Sequence, residues 1–164
     1  MSALFFQTLS FGLIYSLIGA GLFLLLACIN PEMWIDGYPP DIRQRHGAMS
    51  PQAKRQRMIF GVPVFVFMLG FPIYVVAQFT LINPLSFWQL FGILLTLYTL
   101  FNLCDLFILD WLVFNTIQPR FIVLPGTEGM AGYKDYGFHL RGSLKGQIGL
   151  TIFSLIGAGA LMLL

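Results

Sequence analysis

The sequence predicts an all-α membrane protein: a four-transmembrane-helix bundle forming one domain, residues 1–164, with two structured cytoplasmic loops. Three observations predict it. Only 10% of the 164 residues are charged and 57% are hydrophobic, against roughly 25% charged in soluble domains. Four apolar runs can each cross a hydrocarbon core of about 30 Å, which takes roughly 20 helical residues. All nine Lys and Arg residues fall in two of the connections between those runs.

The first run is Ala3–Ile29. A signal sequence would open with positive charge and carry an apolar region of about 7–15 residues. Here the opening Met1-Ser-Ala-Leu-Phe-Phe is uncharged and the run is far longer. Leu25-Leu26-Ala27-Cys28 resembles a lipoprotein cleavage box, but its second Leu is atypical and cleavage would leave the following basic segment outside. Cys28 is therefore read as a helix residue. Cys28 and Cys104 form no CxxC and no metal-ligand spacing.

The second run, Ile59–Ile82, contains Gly61-Val-Pro63 and Gly70-Phe-Pro72. Both are read as packing kinks, tolerated where neighbouring helices satisfy the carbonyls that proline leaves free. The third run, Phe87–Phe114, spans about 42 Å at ~1.5 Å per residue, about 12 Å more than the core needs. Trp88 anchors its outer end, and Pro119 is expected to stop it. The fourth, Ile148–Leu164, is short, so Lys145 is expected to snorkel and the helix to start near residue 147.

Arg43, Arg45, Lys54, Arg55 and Arg57 lie between the first two runs; Arg120, Lys134, Arg141 and Lys145 lie between the last two. The Asn83–Ser86 turn and both termini carry none. Positive charge marks the cytoplasmic side, so segments 30–58 and 115–146 are assigned to the cytoplasm of a plasma or inner membrane, with both termini outside.

In segment 30–58, two prolines in Asp36-Gly-Tyr-Pro-Pro-Asp41 argue against a helix. Ser50-Pro51 then reads as an N-cap and first turn of a helix that continues into the second span. Lys54, Arg55 and Arg57 on its opening turns oppose the helix dipole, which suits contact with anionic lipid phosphates. In segment 115–146, Arg120-Phe-Ile-Val-Leu-Pro125 reads as a short strand or extended segment. The glycines of Gly126-Thr-Glu-Gly129-Met-Ala-Gly132 suit a turn cluster or a backbone nest for phosphate. No P-loop or dinucleotide fingerprint is present.

Ser16-Leu-Ile-Gly-Ala-Gly21 recurs identically as Ser154-Leu-Ile-Gly-Ala-Gly159. Gly12, Ser16 and Ala20 form one small-residue stripe, Ser154 and Ala158 another. Such stripes pack helices closely, within a chain or against a second copy or another membrane protein.

Asp105 falls near the inner edge of the hydrocarbon, where ionisable residues usually face the bundle interior or a wet cavity. Asn102 shares its face. Asp110 is offset from Asp105 by about 140° at ~100° per residue, so the two carboxylates are expected to diverge, with Asp110 free to pair with Arg120. The candidate catalytic residues are Asp105, His139 and His46, with Asn102, Asp110, Arg120, Lys54, Arg55 and Arg57 as binding residues. No motif specifies a metal or a cofactor, and a net charge of +2 does not suit nucleic acid. Two function classes follow: a lipid- or partner-binding accessory module, or a membrane-embedded enzyme acting on a lipid or isoprenoid headgroup. A small transporter ranks third, since no charge lies at the midplane.

Overall fold

The computed structural model describes residues 2–82 and 84–163; Met1, Asn83 and Leu164 lie outside it, and with them the expected start of the turn at Asn83 and helix end at Leu164. The regular structure among these residues is all helical. Helix α1 is Ser2–Ile29, α2 Pro40–His46, α3 Pro51–Leu81, α4 Phe87–Ile117 and α5 Tyr136–Leu161. Four of them, all except α2, are long and apolar enough to cross a membrane, so the chain is a multi-pass membrane protein. Two short 3-10 segments, Pro31–Gly37 and Ala131–Lys134, lie in the long connections.

Helix α4 is the centre of the bundle, packed by α1 on one side and α5 on the other. Leu90, Leu94, Leu97 and Tyr98 are buried along it. Outward-facing Leu13, Ile14, Leu17, Phe65, Val66, Ile152 and Ile156 stay exposed, as lipid contact requires. The repeated hexapeptide explains how α1 and α5 each pack closely on α4. Ser16, Ala20, Ser154 and Ala158 are all buried. A Cβ on Gly19 would meet Met68 and Phe101, and one on Gly157 would meet Leu94 and Ile73. Both copies thus turn the same small-residue face onto α3 and α4, and both stripes serve packing within the chain.

Helix α3 absorbs its two prolines differently. Before Pro63 the turn widens to a π-helical stretch, Arg57–Gly61, in which the Val62 N–H reaches back to the Arg57 carbonyl. That widening accommodates a proline ring that would otherwise collide with the carbonyl four residues back. Pro72 lies inside regular helix and leaves the Met68 carbonyl without its helical donor. The Tyr15 hydroxyl donates to that carbonyl from α1, and the Tyr98 hydroxyl donates to the adjacent Leu69 carbonyl from α4.

Four expectations need correction. The last helix begins at Tyr136, not near 147, because the Asp135 side chain caps it by accepting from the Phe138 N–H at 2.8 Å. The second connection is correspondingly shorter. Pro40 starts a helix rather than excluding one: at the first helical position the missing N–H has no partner to lose. Residues 120–124 form turns and irregular chain instead of a strand. Finally, α4 ends at Ile117, three residues beyond Phe114, where Gln118 takes a left-handed conformation (φ 49°) ahead of Pro119.

Candidate functional site

The end of the bundle that carries both long connections has a core of its own. Ile35, Tyr38, Ile42, Phe114, Ile122, Leu124 and Tyr133 are buried together there. Two consecutive turns, Leu124–Thr127 and Thr127–Met130, close through backbone bonds of 3.1 and 3.2 Å. Their third residues are Gly126 (φ 77°) and Gly129 (φ 72°), the positive φ that a type II turn demands. The glycine spacing therefore serves turns. The Tyr133 hydroxyl accepts from the Leu124 N–H at 2.9 Å and lies 2.8 Å from the Thr127 hydroxyl. Tyr38 donates to the Ile122 carbonyl at 2.8 Å, and burial pushes its phenol pKa up. Asp41 accepts from the Gly132 N–H at 3.0 Å, tying α2 to the second connection.

Beneath this cap lies a cavity of about 280 Å³. Helix α1 contributes Phe23, Leu24 and Ala27 to its wall; Trp34 and Asp36 come from the 3-10 segment, Arg57 from α3 and His139 from α5. Helix α4 contributes Asp105, Leu109, Asp110 and Phe114. Both carboxylates thus face one cavity, which corrects the expected divergence. The reason is local geometry: residues Asp105–Ile117 are π-helical, and each hydrogen-bonded ring holds one residue more than in an α-helix. Residues four and five apart then share a face. Polar residues at 105, 110 and 115 carry that five-residue period in the sequence itself.

Asp110 Oδ1 lies 2.9 Å from His139 Nδ1, so its partner is His139 rather than Arg120, which is exposed. The His139 side chain is 6% exposed, and its Nε2 is buried without a hydrogen-bond partner among the described residues. The indole Nε1 of Trp34 is likewise buried and unpartnered. Among the described residues no Lys or Arg lies within ion-pairing distance of Asp105. At the rim, Arg57 pairs with Asp36 at 2.6 Å, and both side chains are substantially exposed.

Of the candidate residues, the structure brings Asp105, Asp110, His139 and Arg57 to this cavity. Asn102 instead donates to the Ser143 carbonyl (3.2 Å) and Gln147 Oε1 (3.0 Å), joining α4 to α5. His46 lies 3.4 Å from Glu32, beside Ser50. Lys54 and Arg55 are exposed on the first turns of α3. Trp34, Tyr38 and Asp36 were missed as cavity residues; the Asp36-Gly37 turn signal gave their place in a connection, not their direction. Among the described residues no three His, Cys, Asp or Glu side chains converge to hold a metal ion.

Fold and site together define a class: a multi-pass helical membrane protein with a cavity of apolar and ionisable side chains at one end of its bundle. Comparison with protein-family models, curated proteins and solved structures finds no match.

Proposed function

We propose that this protein is a membrane-embedded binding module for an amphiphile, whose polar headgroup enters the cavity at the end bearing the long connections. The observation carrying the reading is the cavity's division. Phe23, Leu24, Ala27 and Leu109 give it an apolar wall, and Asp105, Asp110, His139 and Arg57 give it convergent polar groups. That combination is the usual composition of a small-molecule site, and ionisable groups at membrane depth mark functional positions. The basic residues support a cytoplasmic position for this end, in a plasma or inner membrane. Lys54 and Arg55 then face anionic lipid phosphates.

The test is to purify the wild-type chain and Asp105→Asn in detergent and identify co-purified lipids by mass spectrometry. A specific amphiphile held by the wild type and lost by a folded variant is expected; the same lipids on both overturns the reading. A reporter fused after Leu164 should lie outside the cell, and a cytoplasmic reporter would reverse the orientation.

One observation favours a second reading, an enzyme acting on the bound headgroup. Asp110 holds the His139 ring through Nδ1 and leaves Nε2 without a partner among the described residues, the arrangement of an oriented acid–base histidine. On that reading, incubation with membrane lipids yields a new product, and His139→Gln abolishes it.

A further inference from the structure

We propose that the cavity recognises a primary ammonium joined to a phosphate ester, the chemistry of a phosphoethanolamine headgroup. This rests on the amphiphile-binding reading and names the ligand class. Asp105 and Asp110 share the cavity, and Asp105 has no Lys or Arg partner among the described residues. Two carboxylates facing one low-dielectric space repel each other unless a proton or a cation stands between them. His139 lines the cavity with both carboxylates, but among the described residues no three His, Cys, Asp or Glu side chains are placed to hold a metal ion; an organic cation needs no such set.

The unpartnered atoms sharpen this. His139 Nδ1 faces Asp110, and in the tautomer that carries its proton there, Nε2 offers a lone pair. That nitrogen belongs to a side chain only 6% exposed and has no donor among the described residues. A buried acceptor left unpaired is costly, and an ammonium N–H satisfies it; a quaternary ammonium has no N–H to give. Phe23, Trp34 and Phe114 line the same walls, and an aromatic ring attracts a cation placed over its face. Donors for the phosphate line the same cavity. Among the described residues Trp34 Nε1–H lacks an acceptor and Arg57 is ion-paired with the exposed Asp36 alone, an interaction weak enough for a phosphate oxygen to share.

The experiment is native mass spectrometry of the full chain in detergent. It is titrated separately with short-chain phosphatidylethanolamine, phosphatidylcholine, phosphatidylglycerol and free phosphoethanolamine. The ethanolamine lipid is expected to bind at least about tenfold tighter than the choline lipid, which is about 1.4 kcal/mol. Asp105→Asn should reduce that preference, and Trp34→Phe should weaken both zwitterionic lipids alike. Equal binding of ethanolamine and choline lipids overturns this inference while the amphiphile reading stands. Free phosphoethanolamine binding as tightly as its lipid supports the headgroup chemistry and overturns the amphiphile reading. No binding of any probe overturns both. The lipid comparison uses the wild-type chain, so it decides the question even where a variant fails to fold.

Discussion

The Tyr15 hydroxyl donates to the Met68 carbonyl, the acceptor that Pro72 leaves without its helical donor. A hydrogen bond between α1 and α3 thus repairs the kink, where water cannot. Tyr15→Phe is expected to lower stability in detergent by about 1 kcal/mol, typical of hydrogen bonds between membrane helices. The partner test is Pro72→Ala, which returns an N–H to the Met68 carbonyl. In that background the cost of Tyr15→Phe should shrink toward zero. Equal costs in both backgrounds, read from thermal unfolding, would refute the repair.

Asp110 and His139 make a comparable pair at the cavity. Asp110→Ala strands the His139 Nδ1 in a site where the ring is 6% exposed, at a cost of about 1–3 kcal/mol. Asp110→Asn keeps an oxygen acceptor and should cost less. A double-mutant cycle with His139→Phe measures the coupling. Additive effects of Asp110→Ala and His139→Phe would mean that the pair contributes nothing.

The repeated hexapeptide makes a sharper packing prediction, because two glycines two residues apart meet different surroundings. A Cβ on Gly19 would collide with Met68 Cε and lie 2.9 Å from Phe101 Cε2, whereas one on Gly21 meets nothing within 4 Å among the described residues. Met68 is itself buried, so its methyl has little room to retreat. Gly19→Ala should therefore destabilise by about 1–3 kcal/mol. Gly21→Ala should be neutral, or stabilising by up to about 1 kcal/mol through helix propensity. Indistinguishable unfolding midpoints would show that the tight face is misplaced.

The same glycines show what the sequence could and could not reveal. Apolar length and the clustering of basic residues were enough for four spans, because hydrocarbon thickness leaves few alternatives. The identical stripes were visible, but whether they faced inward depended on tertiary contacts. The early start of α5 was hidden by Gly137, Gly142, Arg141 and Lys145, which dilute the apolar pattern; the Asp135 cap was the overlooked signal. The convergence of Asp105 and Asp110 was lost to an assumption of about 3.6 residues per turn. Their five-residue spacing, continued at Asn115, pointed to the wider helix.

The segment leading into α3 should respond to acid through Glu32. Its carboxylate accepts from both the Ser50 backbone N–H and, at 2.6 Å, the Ser50 hydroxyl, with His46 at 3.4 Å. Ser50 caps α3 in turn by accepting from the Ala53 N–H at 3.2 Å, so the negative charge stands at the positive end of that helix. Burial opposes ionisation, but the hydrogen bonds from Ser50 and His46 outweigh it and hold the Glu32 carboxyl below its ordinary value of 4.5. A carboxyl depressed in the folded state contributes stability that is fully present above the ordinary value. That stability is lost as pH falls from about 4.5 through the lowered folded-state pKa. Glu32→Gln cannot ionise and should lower the unfolding midpoint near neutral pH. The gap between variant and wild type should then close progressively in acid. A gap that stays constant below pH of about 4.5, or widens, would show that the Glu32 charge is not what secures the start of α3.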